Sequence, residues 1–193
     1  MTTTDATTTD ATTTTGATTP AAGKLTGERA DLLEALEKQR HFLRFTTRDL
    51  TDEQAGLRTC ASELCLGGLI KHVTSVERTW AEFIVRGPSA MPDFTNWTEE
   101  DLARRADEFR MLPGETLAGV LAAYAKVARR TDQLVADLPD LDATQPLPKA
   151  PWFDADIAWS ARRVLLHVAN ETAQHAGHAD IIRESLDGAK SMG

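Results

Sequence analysis

The chain has 193 residues, with 21 basic against 29 acidic side chains and a formal charge of -8. That length supports one domain with a full hydrophobic core, and the acidic balance, uninterrupted by any basic face, argues against nucleic acid as a partner. No apolar run reaches the length of a membrane span and the amino terminus lacks the pattern of a secretion signal, so a cytoplasmic protein without a membrane partner is expected.

Residues 1–23 are dominated by Thr, with Asp, Ala and Gly between. Nothing there can bury a core, and a disordered tail is expected, followed by a folded domain over 24–193. From about Glu28 the texture changes to long segments of helical periodicity separated by stretches rich in Pro, Asp and Gly, with no convincing alternating strand. The fold class is all α, a four-helix bundle with long inter-helix connections.

A first helix is expected from about Glu28 to Thr47, with Leu32, Leu36, Phe42, Leu43 and Phe45 supplying its apolar contacts and a turn signal at Asp49 to Thr51. The second, from about Glu63 to Val85 with Ser62 as N-cap, places Leu69, Val73, Val76, Trp80 and Phe83 on one face and His72 on or beside it. Pro88, Pro92 and Pro113 mark a long connection in which Thr98 to Phe109 can form a short helix. A third helix over Glu115–Leu138 carries the strongest periodic pattern, including Leu117, Val120, Tyr124, Val127 and Leu134. A proline-rich loop with Trp152 and Trp159 leads to Ser160, which caps a last helix over Ala161–Leu186 that stops at Gly188.

The last helix places Glu171, His175 and His178 in the middle of its apolar stripe. Residues four apart on a helix are neighbours one turn along the axis, so Glu171 and His175 can converge on one point. A carboxylate buried there costs several kcal/mol by order of magnitude unless a cation, a donor or a raised pKa compensates. His72, from the second helix, completes a set of two His and one carboxylate that suits zinc with an open coordination position, and accepts nickel, iron, manganese or cobalt as well. The opposing reading keeps His72 as a hydrogen-bonded core histidine and Glu171 as a half-exposed helix charge. Cys60 and Cys65 read as free thiols in a reducing compartment. His167 reads as structural, Trp80, Trp152, Trp159 and Tyr124 as packing residues, and Asp180 with Arg183 as an ion pair near the end of the last helix.

The segments LCLGGLIKHVTSVERTW at 64–80 and LLHVANETAQHAGHADIIRESLDG at 165–188 resemble the DinB superfamily, and within it the DUF664 and DinB_2-type members. The resemblance covers roughly Leu25 to Gly188. It implies a four-helix bundle whose metal is held by one His of the second helix and a pair four residues apart on the last, positions that match His72, Glu171 and His175. Many members have His where this chain has Glu171; a related mycothiol-dependent maleylpyruvate isomerase uses a His, Glu, His set. His178 lies outside that set, as a further donor or an alternative ligand.

The resemblance makes a metal-dependent S-transferase or thiol-dependent isomerase the leading expectation. A low-molecular-weight thiol such as mycothiol or bacillithiol, activated as thiolate at the metal, would attack a small-molecule electrophile. The alternatives are a hydrolase that uses metal-bound water and a non-catalytic, stress-related or partner-binding bundle with a structural or vestigial metal site. Related bundles often pair through outer helix faces, which leaves a homodimer open. The sequence singles out no catalytic residue beyond the metal ligands.

Overall fold

Periodicity resolves into four long helices in the computed structural model, which describes residues 1–2 and 25–192. The expected Thr-rich tail falls almost entirely outside the described residues. Helix α1 is Glu28–Phe45, the one-turn α2 is Asp52–Gly56, α3 is Leu66–Arg86, α4 is Glu99–Asp107, α5 is Leu117–Asp137 and α6 is Ala161–Asp187. A 3-10 turn follows α3 at Gly87–Ala90, and β1 (Thr144–Pro146) pairs antiparallel with β2 (Ala158–Ser160), Gln145 opposite Trp159. Helices α1, α6, α3 and α5 pack in that cyclic order, α5 closing the ring against α1. The all-α bundle expected from the sequence is what forms.

Side-chain caps mark where three of the four long helices begin, α1 starting at Gly27 without one. Thr116 and Ser160 accept hydrogen bonds from the backbone N–H groups of Gly119 and Arg163 and start α5 and α6. Gly188, at φ 77°, ends α6 in the left-handed conformation that glycine adopts without steric cost. For α3 the expected cap is wrong: Ser62 accepts from Leu64 N–H inside the preceding bend, and the Cys65 sulfur caps the helix by accepting from Gly68 N–H. Asp49, at φ 58°, makes the turn after α1. Helix α2 goes beyond the expected pattern, since five residues carry no periodicity, although its reciprocal Thr51–Gln54 capping box is readable. The three-residue strands escape for the same reason of length.

The core has two apolar clusters. Leu43, Leu69, Ile70, Val73, Tyr124, Ala176 and Ile182 form one, and Phe83, Val135, Leu141, Val164 and Leu165 the other. Each large apolar side chain fully buried there stabilises by about 1.5–3 kcal/mol. Polar groups are buried as well: Arg40 of α1 and Glu77 of α3 are both fully enclosed, joined by Nε to Oε2 at 3.1 Å and Nη2 to Oε1 at 2.5 Å, while Arg40 Nη1 reaches Asp132 of α5 at 2.8 Å. Burial alone would depress the guanidinium's proton affinity; Glu77 and Asp132 reverse that and hold Arg40 charged.

Candidate metal centre

Helix α3 runs through the bundle with His72 almost fully enclosed, at 2% exposure. On the neighbouring α6, Thr172, Ala176 and Ala179 face the core, which turns Glu171 and His175 toward α3 from its border. One donor atom each from His72, Glu171 and His175 lies within 4.8 Å of the other two. The His72 and His175 rings meet edge to face with centroids 4.8 Å apart, and His175 Nε2 stands 3.8 Å from Glu171 Oε2. Burial, reinforced by His72, His178 and Arg105, pushes His175 down to about 4. It is a neutral imidazole at physiological pH, the form that donates a lone pair.

Glu171 is not buried: its side chain is 30% exposed, and among the described residues its one ion-pairing neighbour is His175. At that exposure the carboxylate is partly solvated and does not by itself require a compensating cation; what marks the site is the convergence of the three donors. His178 Nδ1 lies 3.5 Å from His175 Nδ1, against the ligand pair but outside the group of three.

The structure adds a residue that helix periodicity does not reveal. Glu108, at the end of α4, places Oε2 3.4 Å from His72 Nδ1, accepts from Ser75 Oγ at 2.8 Å and from Arg105 Nη1 at 2.7 Å. Burial would raise its carboxyl, but the hydrogen bonds from His72 and Ser75 and the Arg105 guanidinium outweigh it and bring it to about 2. Glu108 is thus an anion beside His72.

His72 and Glu171 stand in the wall of a cleft of about 810 Å³. Its other walls come from the two long connections: Phe94 and Trp97 precede α4, Trp152 and Phe153 lie between the strands, and Trp80 and His167 line it from α3 and α6. Phe94 meets Trp152 edge-on at 5.1 Å, and Trp152 is 61% exposed, so the cleft reaches solvent. Trp80 stacks on Trp159 at 5.1 Å, with His167 against both rings. The packing reading is therefore incomplete for Trp80 and Trp152, which line the cleft. It holds for Tyr124, fully buried in the bundle. Burial keeps His167 below the ordinary imidazole range. Both cysteines are free thiols, Cys65 buried and Cys60 partly so. The expected Asp180–Arg183 pair does not form; Arg183 turns to Asp187 at 2.9 Å and to the carbonyls of Thr46 and Arg48, tying α6 to the end of α1.

The helical bundle belongs to the DinB-like superfamily, as the two sequence segments suggest. Within it the chain belongs to the mycothiol-S-transferase family, whose model matches residues 31–188, from the first turn of α1 to the cap of α6. The family implies a thiol cofactor and an electrophile as substrates. No curated protein matches the chain. Among the described residues, no helix is long and apolar enough to cross a membrane.

Proposed function

We propose that this chain is a metal-dependent mycothiol S-transferase in which His72, Glu171 and His175 hold a divalent ion, zinc before nickel, iron or manganese. The observation that carries the reading is the convergence of these three donors, two of them, His72 and Glu171, in the wall of a solvent-connected cleft.

The donor chemistry fits. Two imidazole nitrogens and one carboxylate would give a zinc centre of net charge about +1. The three donor atoms, within 4.8 Å of one another, are near enough that His72, Glu171 and His175 would share one ion. When bound, the ion would hold the thiol sulfur as thiolate at neutral pH.

The chain's own residues supply position. Trp80, Phe94, Trp97, Trp152 and Phe153 give the cleft an aromatic lining that excludes water from a small electrophile held beside His72 and Glu171. Sulfur forms its bond to the electrophilic carbon while the leaving group departs with the bonding pair, and the thiol proton passes to solvent. Orientation of this kind converts an encounter of two molecules into a step within one complex. We place the reaction in the cytoplasm.

Elemental analysis of wild type and Glu171→Ala, followed by turnover of a haloarene probe with and without mycothiol, tests this reading. Stoichiometric metal lost in the variant and turnover that needs the thiol are expected. Turnover that persists without thiol makes the protein a hydrolase, and absence of metal after reconstitution makes it a non-catalytic bundle.

A further inference from the structure

His72 is engaged from outside the donor triad, and the cause lies one turn earlier in α3. A methyl group at Gly68 would overlap the Phe109 carbonyl, and one at Gly67 would strike the Met111 thioether. The two glycines thus let residues 108–111 lie directly on α3. That approach stacks the Phe109 ring on the His72 imidazole, with centroids 4.2 Å apart and planes 27° apart, and brings Glu108 Oε2 to 3.4 Å from Nδ1.

Glu108 is itself held from two sides. Ser75, three residues along α3 from His72, donates to Oε1 at 2.8 Å, and Arg105 donates to Oε2 at 2.7 Å. An ionised carboxylate only accepts hydrogen bonds, so an imidazole nitrogen facing it carries the proton, and the other nitrogen keeps its lone pair. A carboxylate that engages the remote nitrogen of a ligating histidine fixes both ring angle and tautomer.

Arg105 competes for the same atom, with Nη1 3.3 Å from His72 Nδ1. A guanidinium only donates; if Nδ1 accepted from it, the proton would sit on Nε2 and His72 would offer no lone pair to an ion. The shorter, charge-assisted contact takes the Arg105 hydrogen to Glu108, whose oxygen has acceptor capacity for His72 as well.

We propose that Glu108 is a positioning residue that fixes His72 as the Nδ1–H tautomer, leaving Nε2 as the nitrogen that joins Glu171 and His175 in binding an ion. Its purpose rests on the metal reading of the site, but the tautomer is a property of the metal-free chain and can be measured separately.

The test uses the full chain labelled with 15N-histidine, free of metal, and long-range proton–nitrogen correlation spectra above the imidazole titration range, with zinc affinity measured in parallel by chelator competition. Wild type is expected to show His72 protonated on Nδ1. Glu108→Ala should lose that bias and bind zinc about 10–100-fold more weakly at unchanged stoichiometry, and Glu108→Gln, isosteric with a neutral acceptor, should fall between. Arg105→Ala should keep the Nδ1–H tautomer, whereas Gly68→Ala, which touches neither group but displaces the Phe109 backbone, should lose it. If Glu108→Ala fails to fold, Glu108→Gln carries the comparison.

A tautomer that shifts in the Glu108 variants of a protein that binds no zinc supports the role of Glu108 and removes the metal reading. His72 protonated on Nε2 in wild type, or Nδ1–H retained without Glu108, overturns the role of Glu108 whatever the zinc result.

Discussion

Replacing Glu77 by Ala removes the carboxylate that makes two hydrogen bonds to Arg40 in the centre of the bundle. Both side chains are fully buried, so the guanidinium left behind is uncompensated except through Nη1, which keeps Asp132 at 2.8 Å and Glu37 at 3.6 Å. Breaking a buried pair from one side costs about 3–5 kcal/mol, because the survivor's desolvation is no longer offset. The partner on α5 is 45% exposed and its attraction is screened, so it cannot restore the loss. At about 2–4 °C per kcal/mol for a domain of this size, the melting midpoint should fall by roughly 6–20 °C. Urea unfolding followed by circular dichroism measures the difference. The double variant Arg40→Met with Glu77→Leu should recover most of it, since an apolar pair of similar volume bears no desolvation cost. A Glu77→Ala loss under about 1 kcal/mol with an unchanged denaturant slope would show that water reaches Arg40 and that the pair is not desolvated.

Further outcomes follow from other residues. His175→Ala should lose any bound metal by elemental analysis while the helical circular dichroism signal persists, because His175 belongs to neither apolar cluster of the core; full metal retention would remove His175 from the site. Ser160→Ala should cost about 1 kcal/mol in urea unfolding, since the hydroxyl caps α6 through Arg163 N–H. Trp152→Ala should leave stability within about 0.5 kcal/mol, as expected for so exposed a side chain. It should raise the KM for the electrophile more than it lowers kcat, and a pure kcat effect would place Trp152 outside the binding cleft.

The long elements were legible because their patterns span several turns. Leu69, Val73 and Phe83 on α3, or Val164, Leu165, Val168 and Ile182 on α6, repeat often enough to fix the face, and Ser160 with Gly188 brackets α6 within a residue. The ligand candidates were raised by spacing on two helices and preferred over a core histidine and a half-exposed helix charge through the family resemblance; the structure brings His72, Glu171 and His175 together. Glu108 was not legible, because its role depends on a backbone approach between residues 68 and 109 that no helical period encodes. The Gly67–Gly68 pair near the start of a helix was the available signal, since adjacent glycines lower helix propensity and are kept where another chain segment must come close. The partial exposure of Glu171, one of the two readings the sequence leaves open, is not decided by spacing, because position on a stripe gives direction around the helix but not depth, and the cleft cuts into the bundle at that point. Arg183 prefers Asp187 and two carbonyls over Asp180 because the end of α1 presents acceptors that the sequence of α6 alone does not contain.

The ligand candidates sit on two helices that also build the core, whereas most of the aromatic wall hangs from the segments joining α3 to α5 and α5 to α6. On the proposed reading, chemistry and selectivity are therefore carried by separable stretches of chain. Exchanging residues 91–97 or 148–156 for those of a relative would retune which electrophile is accepted while leaving the helix positions that hold His72, Glu171 and His175 intact. The scaffold is thus suited to loop grafting, with the bundle serving as a constant chassis.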